Sequence, residues 1–134
     1  MKPGSDLERF GIVVDADADI RNRWQEIKRI LDRAGYGGVP EDPDPAGTVV
    51  EHEALPRVGV WVMPDNILPG MLEDYLCFLV PAGDGLFDRA RRCVDEIPAE
   101  ERRFAEVHLV KALIHTWLAW QDDPGTPLGG VTSE

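Results

Sequence analysis

Phe10-Gly11-Ile12-Val13-Val14-Asp15-Ala16-Asp17-Ala18-Asp19 is the stretch that decides the fold. A short, nearly all-apolar run leads straight into three aspartates at alternate positions. Such a run, about Phe10 to Val14, suits a strand buried on both faces of a sheet. A strand with carboxylates at its C-terminal end is a standard way for an α/β protein to present ligands to a cation.

Downstream, Asp19 is placed to cap a helix from about Ile20 to Ala34. Ile20, Trp24, Ile27, Leu31 and Ala34 fall on one stripe, and the arginines at 21, 23 and 29 lie largely outside it. Gly35 supplies the stop. Strand, acidic turn and helix in that order open a βα unit. Residues 37–47 hold three prolines and several acidic or turn-forming residues, which marks a surface loop. A short strand at Thr48–Glu51 and a clearer one at Val58–Met63 follow, the latter closed by Pro64, Asp65 and Asn66.

Three helices are expected beyond it: Met71–Val80, an amphipathic Leu86–Ile97, and a long C-terminal one from Ala99 to Gln121 without internal Gly or Pro. Residues 1–9 and 122–134 read as tails. The expected class is therefore α/β, a single domain with a small, mostly parallel sheet flanked by helices.

The chain has 134 residues, enough for one domain with a sizeable core. Its 14 basic against 25 acidic residues give a net charge of −11. That field repels phosphate, so unaided binding to nucleic acid or to an anionic membrane is disfavoured. A bound divalent cation would reverse the repulsion locally, and a basic partner would suit the surface. Cys77 and Cys93 form no metal-type spacing and read as buried thiols in a reducing compartment. The polar start Met1–Asp6 is not a signal peptide, and no apolar run is long enough to span a bilayer, so the expected address is cytoplasmic.

If the strand persists to Asp17, Asp15 and Asp17 point to the same side, roughly 7 Å apart along the chain. That spacing lets both reach one hydrated Mg²⁺, which is usually held by one or two carboxylates. The competing reading is a solvated acidic turn. Asp19 is accounted for as the helix cap. A second acidic pair, Glu73 and Asp74, follows the other strong strand, and on a helix only one of the two can face the site. An acidic first turn favoured by the helix dipole explains the pair equally well. On the last helix His108, Lys111 and His115 share one stripe with Phe104 and Leu118. A lysine in an apolar stripe either balances phosphate charge or reaches sideways to water. The histidines read as structural, and Trp117 and Trp120 as core.

An EF-hand loop is rejected, because Ile20 occupies its glycine position and a strand precedes it. A haloacid-dehalogenase-type phosphatase also places a DxD after its first strand, but Ala18 and Asp19 depart from that pattern. The segments GIVVDAD…RW at 11–24, VGVWVMPDN…PGMLED at 58–74 and KALIHTWLAWQDDPGTPLG at 111–129 resemble an uncharacterised Toprim-related family. That family is a domain of unknown function, distantly similar to OLD-type nucleases.

The resemblance implies a compact α/β unit that binds Mg²⁺ or Mn²⁺ for phosphodiester hydrolysis of the nuclease type. It matches Asp15 and Asp17 to the metal-binding DxD, Glu73 to a later acidic ligand, and Lys111 to a charge-stabilising lysine. Nucleic acid would then be the substrate, reached through the metal. The upstream glutamate of such domains has no counterpart in the nine residues before Phe10. The expectation is a truncated Toprim-like domain, completed by a homodimer or a partner chain, or else without turnover. The alternative is a non-catalytic acidic binding or regulatory module.

Overall fold

The computed structural model describes residues 7–124, which fall into two compact units divided between Tyr75 and Leu76. The outer parts of both expected tails, 1–6 and 125–134, lie outside the described residues.

The first unit is built on β1 (Arg9–Asp15), α1 (Ile20–Arg33), β2 (Thr48–Val50) and β3 (Arg57–Met63), and its sheet runs in the order β1-β3-β2. The β1–β3 ladder is parallel along the whole of both strands, with Phe10 opposite Val58, Ile12 opposite Val60 and Val14 opposite Val62. The shorter β2–β3 ladder is antiparallel. The sheet is therefore mixed, its longer ladder being the parallel one.

Alternation decides which side chains reach the core. Val58, Val60 and Val62 turn inward and join Trp24, Ile27 and Leu31 of α1 in one buried cluster. Each such side chain contributes about 1.5–3 kcal/mol by leaving water. Trp24 Nε1 donates to Pro40 O at 3.0 Å, which ties the proline-rich loop to this core. Tyr36, just after Gly35 (φ +96°), does the same for the approach to β3 by donating to Pro56 O at 2.7 Å.

The expectation that β1 is buried on both faces does not hold. It lies at the edge of the sheet, and Val13 is 63% exposed. Its apolar run reflects the parallel pairing with β3 and the helix on one side only.

α2 (Leu72–Leu79) begins in the first unit, and the second unit continues with α3 (Gly85–Asp95), a 3-10 turn at Glu106–His108 and α4 (Leu109–Leu118). Phe87, Ala90, Leu113 and Ile114 form its core, with Leu76, Cys77, Val80, Trp117 and Leu118 packed against them. Asp84 caps α3 by accepting from Phe87 N at 2.8 Å, and the same oxygen accepts from Trp117 Nε1 at 3.3 Å.

The C-terminal helix is present but shorter than the expected Ala99–Gln121. The run Glu100-Glu101-Arg102-Arg103 offers no apolar face, and Arg102 folds back to donate to Ile97 O at 3.2 Å. Ala105 then takes an extended conformation, so the helix starts only at Leu109. Two further expectations fall with it. Cys93 is exposed and Cys77 half-buried, and Trp120, beyond the end of α4, is 38% exposed instead of lying in the core. Among the described residues no helix is long and apolar enough to cross a membrane.

Candidate functional site

The acidic end of β1 does not run straight on. Ala16 still donates to Met63 O at 3.0 Å, but Asp17 has left the strand for the left-handed region at φ +55°. There it exchanges two backbone hydrogen bonds with Gly70, at 2.7 and 2.8 Å. This pins the end of β1 to the loop that follows β3. Gly70 is needed for two reasons. Its φ is +143°, and a Cβ there would lie 2.8 Å from Asp74 Oδ2 and 3.2 Å from Pro64 Cδ.

The loop itself is held by side chains that stand in for backbone partners. Asp65 Oδ1 accepts from Ile67 N and Leu68 N at 3.0 and 2.8 Å. Asn66, only 3% exposed and at φ +63°, accepts from Val62 N at 2.7 Å and donates to Pro45 O at 3.3 Å. A buried amide that satisfies both a strand N–H and a loop carbonyl fixes where the chain leaves the sheet.

The loop delivers the chain to the start of α2, where two aspartates meet the first free N–H groups. Asp74 Oδ2 reaches back to Met71 N at 2.8 Å, the half of a capping box supplied from inside a helix. Asp15 Oδ1 accepts from Leu72 N at 2.9 Å. The first helical N–H is thus capped by a strand-end carboxylate, with the helix dipole adding to the attraction. Glu73, in the same first turn, is buried to 5% exposure.

Arg23 of α1 joins the two halves of the acidic turn. Its Nε donates to Asp15 O at 2.9 Å, one guanidinium nitrogen binds Asp17 Oδ2 and the other binds Glu26 at 2.8 Å. The hydrogen bond to Asp17 raises the guanidinium above its ordinary value; burial opposes this, and the charges of Asp17 and Glu26 add to it. The raised guanidinium is charged throughout the neutral range, and the clamp lasts as long as Asp17 and Glu26 are ionised.

The four residues singled out by sequence end in different settings. Asp15 is half-buried and caps α2, Asp17 is exposed and paired with Arg23, and Glu73 is buried in the first turn of α2. Lys111 is exposed on α4, in the second unit, as are His108 and His115 near it. Phe104, expected on the same helical stripe, precedes the helix. Among the described residues no group of three or more His, Cys, Asp or Glu side chains is placed to hold a metal ion.

Sequence reasoning placed Asn66, Gly70 and Asp74 at this edge without their roles in fixing the backbone, and it missed Arg23. Asn66 and Gly70 carried a signal, since both are residue types that tolerate positive φ. Arg23 carried none beyond its spacing from the aspartates.

These features define an α/β chain whose sheet edge is organised by carboxylates acting on backbone. The chain belongs to the family described as a protein of unknown function (DUF3226), whose model matches residues 1–134. No curated protein and no solved structure matches it.

Proposed function

We propose that this chain is a Toprim-like domain that keeps the acidic sheet edge without turnover and serves as an acidic binding or regulatory module. The observation that carries the reading is the employment of the two DxD carboxylates in the fold. Asp15 caps α2 and Asp17 is paired with Arg23. A carboxylate already matched to a cation or a helix N-terminus has less to gain from a metal ion. The net charge of −11 adds a partner class, a basic protein surface, and a cytoplasmic address belongs to the same reading.

The test is direct. Titrate the full chain with Mg²⁺ and with Mn²⁺ by calorimetry, then incubate it with plasmid and single-stranded DNA beside Asp17→Ala. No heat and no cutting is the expected result. Cutting by the parent chain that Asp17→Ala lacks overturns it.

A second reading is favoured by one feature of Asp15. It sits at the C-terminal end of a parallel strand with one carboxylate oxygen oriented by the Leu72 N–H. Metal-ligating carboxylates are commonly held by such outer hydrogen bonds. On this reading the chain is a Mg²⁺- or Mn²⁺-dependent phosphodiester hydrolase of the nuclease type. Asp15, Asp17 and Glu73 would be its ligands and nucleic acid its substrate. It requires Arg23 to release Asp17, and the same two experiments decide it.

A further inference from the structure

β1 is a seven-residue edge strand with no proline and no lysine, and its only charges are at its two ends. Edge strands are usually blunted by proline, lysine or a bulge. This one has none of these devices, and Arg9, Phe10, Gly11 and Val13 are all exposed.

The hydrogen bonds show which backbone groups face outward. Glu8 O accepts from Arg57 N at 2.9 Å and Ala16 N donates to Met63 O at 3.0 Å, so the even-numbered residues face β3. The N–H and C=O groups of Arg9, Gly11, Val13 and Asp15 therefore point to the free edge. Arg23 Nε on Asp15 O, at 2.9 Å, is consistent with this and leaves that carbonyl a second lone pair.

We propose that this edge pairs antiparallel with β1 of a second copy, about a two-fold axis at Ile12. The strand reads Arg9-Phe10-Gly11-Ile12-Val13-Val14-Asp15 and is complementary to itself in that register. Arg9 lies opposite Asp15 of the second copy, Phe10 opposite Val14, and Gly11 opposite Val13. The two-fold symmetry repeats each pair, giving two Arg–Asp pairs and two aromatic–aliphatic pairs. Val13, 63% exposed, meets a glycine.

Three further facts favour this register. The odd-numbered residues exchange their outward N–H and C=O groups directly, in the pattern of a hydrogen-bonded antiparallel pair. In β3 the neighbour of Arg9 is Arg57, which is paired with Glu51 at 2.6 Å, so Arg9 is the charge that an incoming carboxylate meets. A slip of two residues loses both charge pairs, and a slip of one turns the ladder groups away. The product is one continuous sheet with β1 at its centre.

The test is the mass of the full chain by sedimentation equilibrium, with two variants followed by circular dichroism. The parent chain is expected at twice its 14.9 kDa. Val13→Pro removes an N–H that faces only the free edge, so the ladder to β3 is kept and the variant is expected to be a folded monomer. Arg9→Glu touches no core residue and sets a carboxylate against Asp15 of the second copy, so dimerisation is expected to weaken about tenfold or more.

A monomeric parent chain overturns the proposal, as does a folded Val13→Pro that remains dimeric. Should Val13→Pro fail to fold, Arg9→Glu decides alone: unchanged dimerisation excludes this register, and loss of dimer supports it.

Discussion

Two helix starts in the first unit use the same residue type in different ways. α1 is capped by Asp19, its immediate neighbour, which accepts from Arg21 N at 2.9 Å and Asn22 N at 3.3 Å. α2 is capped in part by Asp15, 57 residues earlier in the chain, at the same distance of 2.9 Å. The local cap sets the start of one helix and nothing else. The distant cap sets where α2 begins relative to the end of β1, and so ties the sheet to the loop after β3. An aspartate at a strand end can thus be part of the scaffold while looking like a ligand.

The largest expected effect breaks the distant cap from the loop side. Gly70→Ala forces an L residue to φ +143° with its Cβ 2.8 Å from Asp74 Oδ2. The strain alone is about 3 kcal/mol, and the Asp74 contact must move as well. Urea unfolding is expected to show this loss. A Gly70→Ala protein within about 0.5 kcal/mol of the parent would mean that the bridge to Asp17 does not hold the loop.

Next comes the distant cap itself. Asp15→Ala leaves the Leu72 N–H without its acceptor and is expected to cost about 2 kcal/mol. Asp15→Asn keeps an acceptor oxygen and is expected to recover about half or more of that loss. If Asn were no better than Ala, the charge and not the hydrogen bond would be what α2 requires. The local cap ranks third: Asp19→Ala is expected to cost about 1 kcal/mol, the usual value for an N-cap. An Asp19→Ala loss larger than that of Asp15→Ala would reverse the comparison.

The same contrast explains what was legible in the sequence. α1, its cap and its buried face could be read from Asp19, Gly35 and the spacing of Trp24, Ile27 and Leu31, because each signal acts within one or two turns. β3 was legible for the same reason. The edge position of β1 was not, since an apolar run says that a strand is buried somewhere and not on how many sides. The start of the C-terminal helix was misread because a missing Gly or Pro is weak evidence that a helix extends that far. Arg102 bonding back to Ile97 O is a side-chain effect that spacing does not show. At the acidic edge, alternation placed Asp15 and Asp17 on one side only while the strand lasted. Asp17 at φ +55° ended that, and the bonds to Gly70 and Leu72 connect residues more than fifty positions apart.

The smallest expected effect is the most informative about function. Asp17 is more than half exposed, and its pair with Arg23 lies at the surface, where such pairs contribute about 0.5 kcal/mol. Its backbone, not its side chain, makes the bridge to Gly70. Asp17→Ala is therefore expected to fold and to unfold in urea almost as the parent does, which makes it a clean probe of ligand binding. Millimolar Mg²⁺ is expected to leave the thermal midpoints of the parent and of Asp17→Ala equally unmoved. A midpoint that Mg²⁺ raises in the parent and not in Asp17→Ala would report a cation bound to the native state through that carboxylate. In that case Arg23 is a placeholder for the metal, and the strand end that serves here as scaffold is a ligand as well.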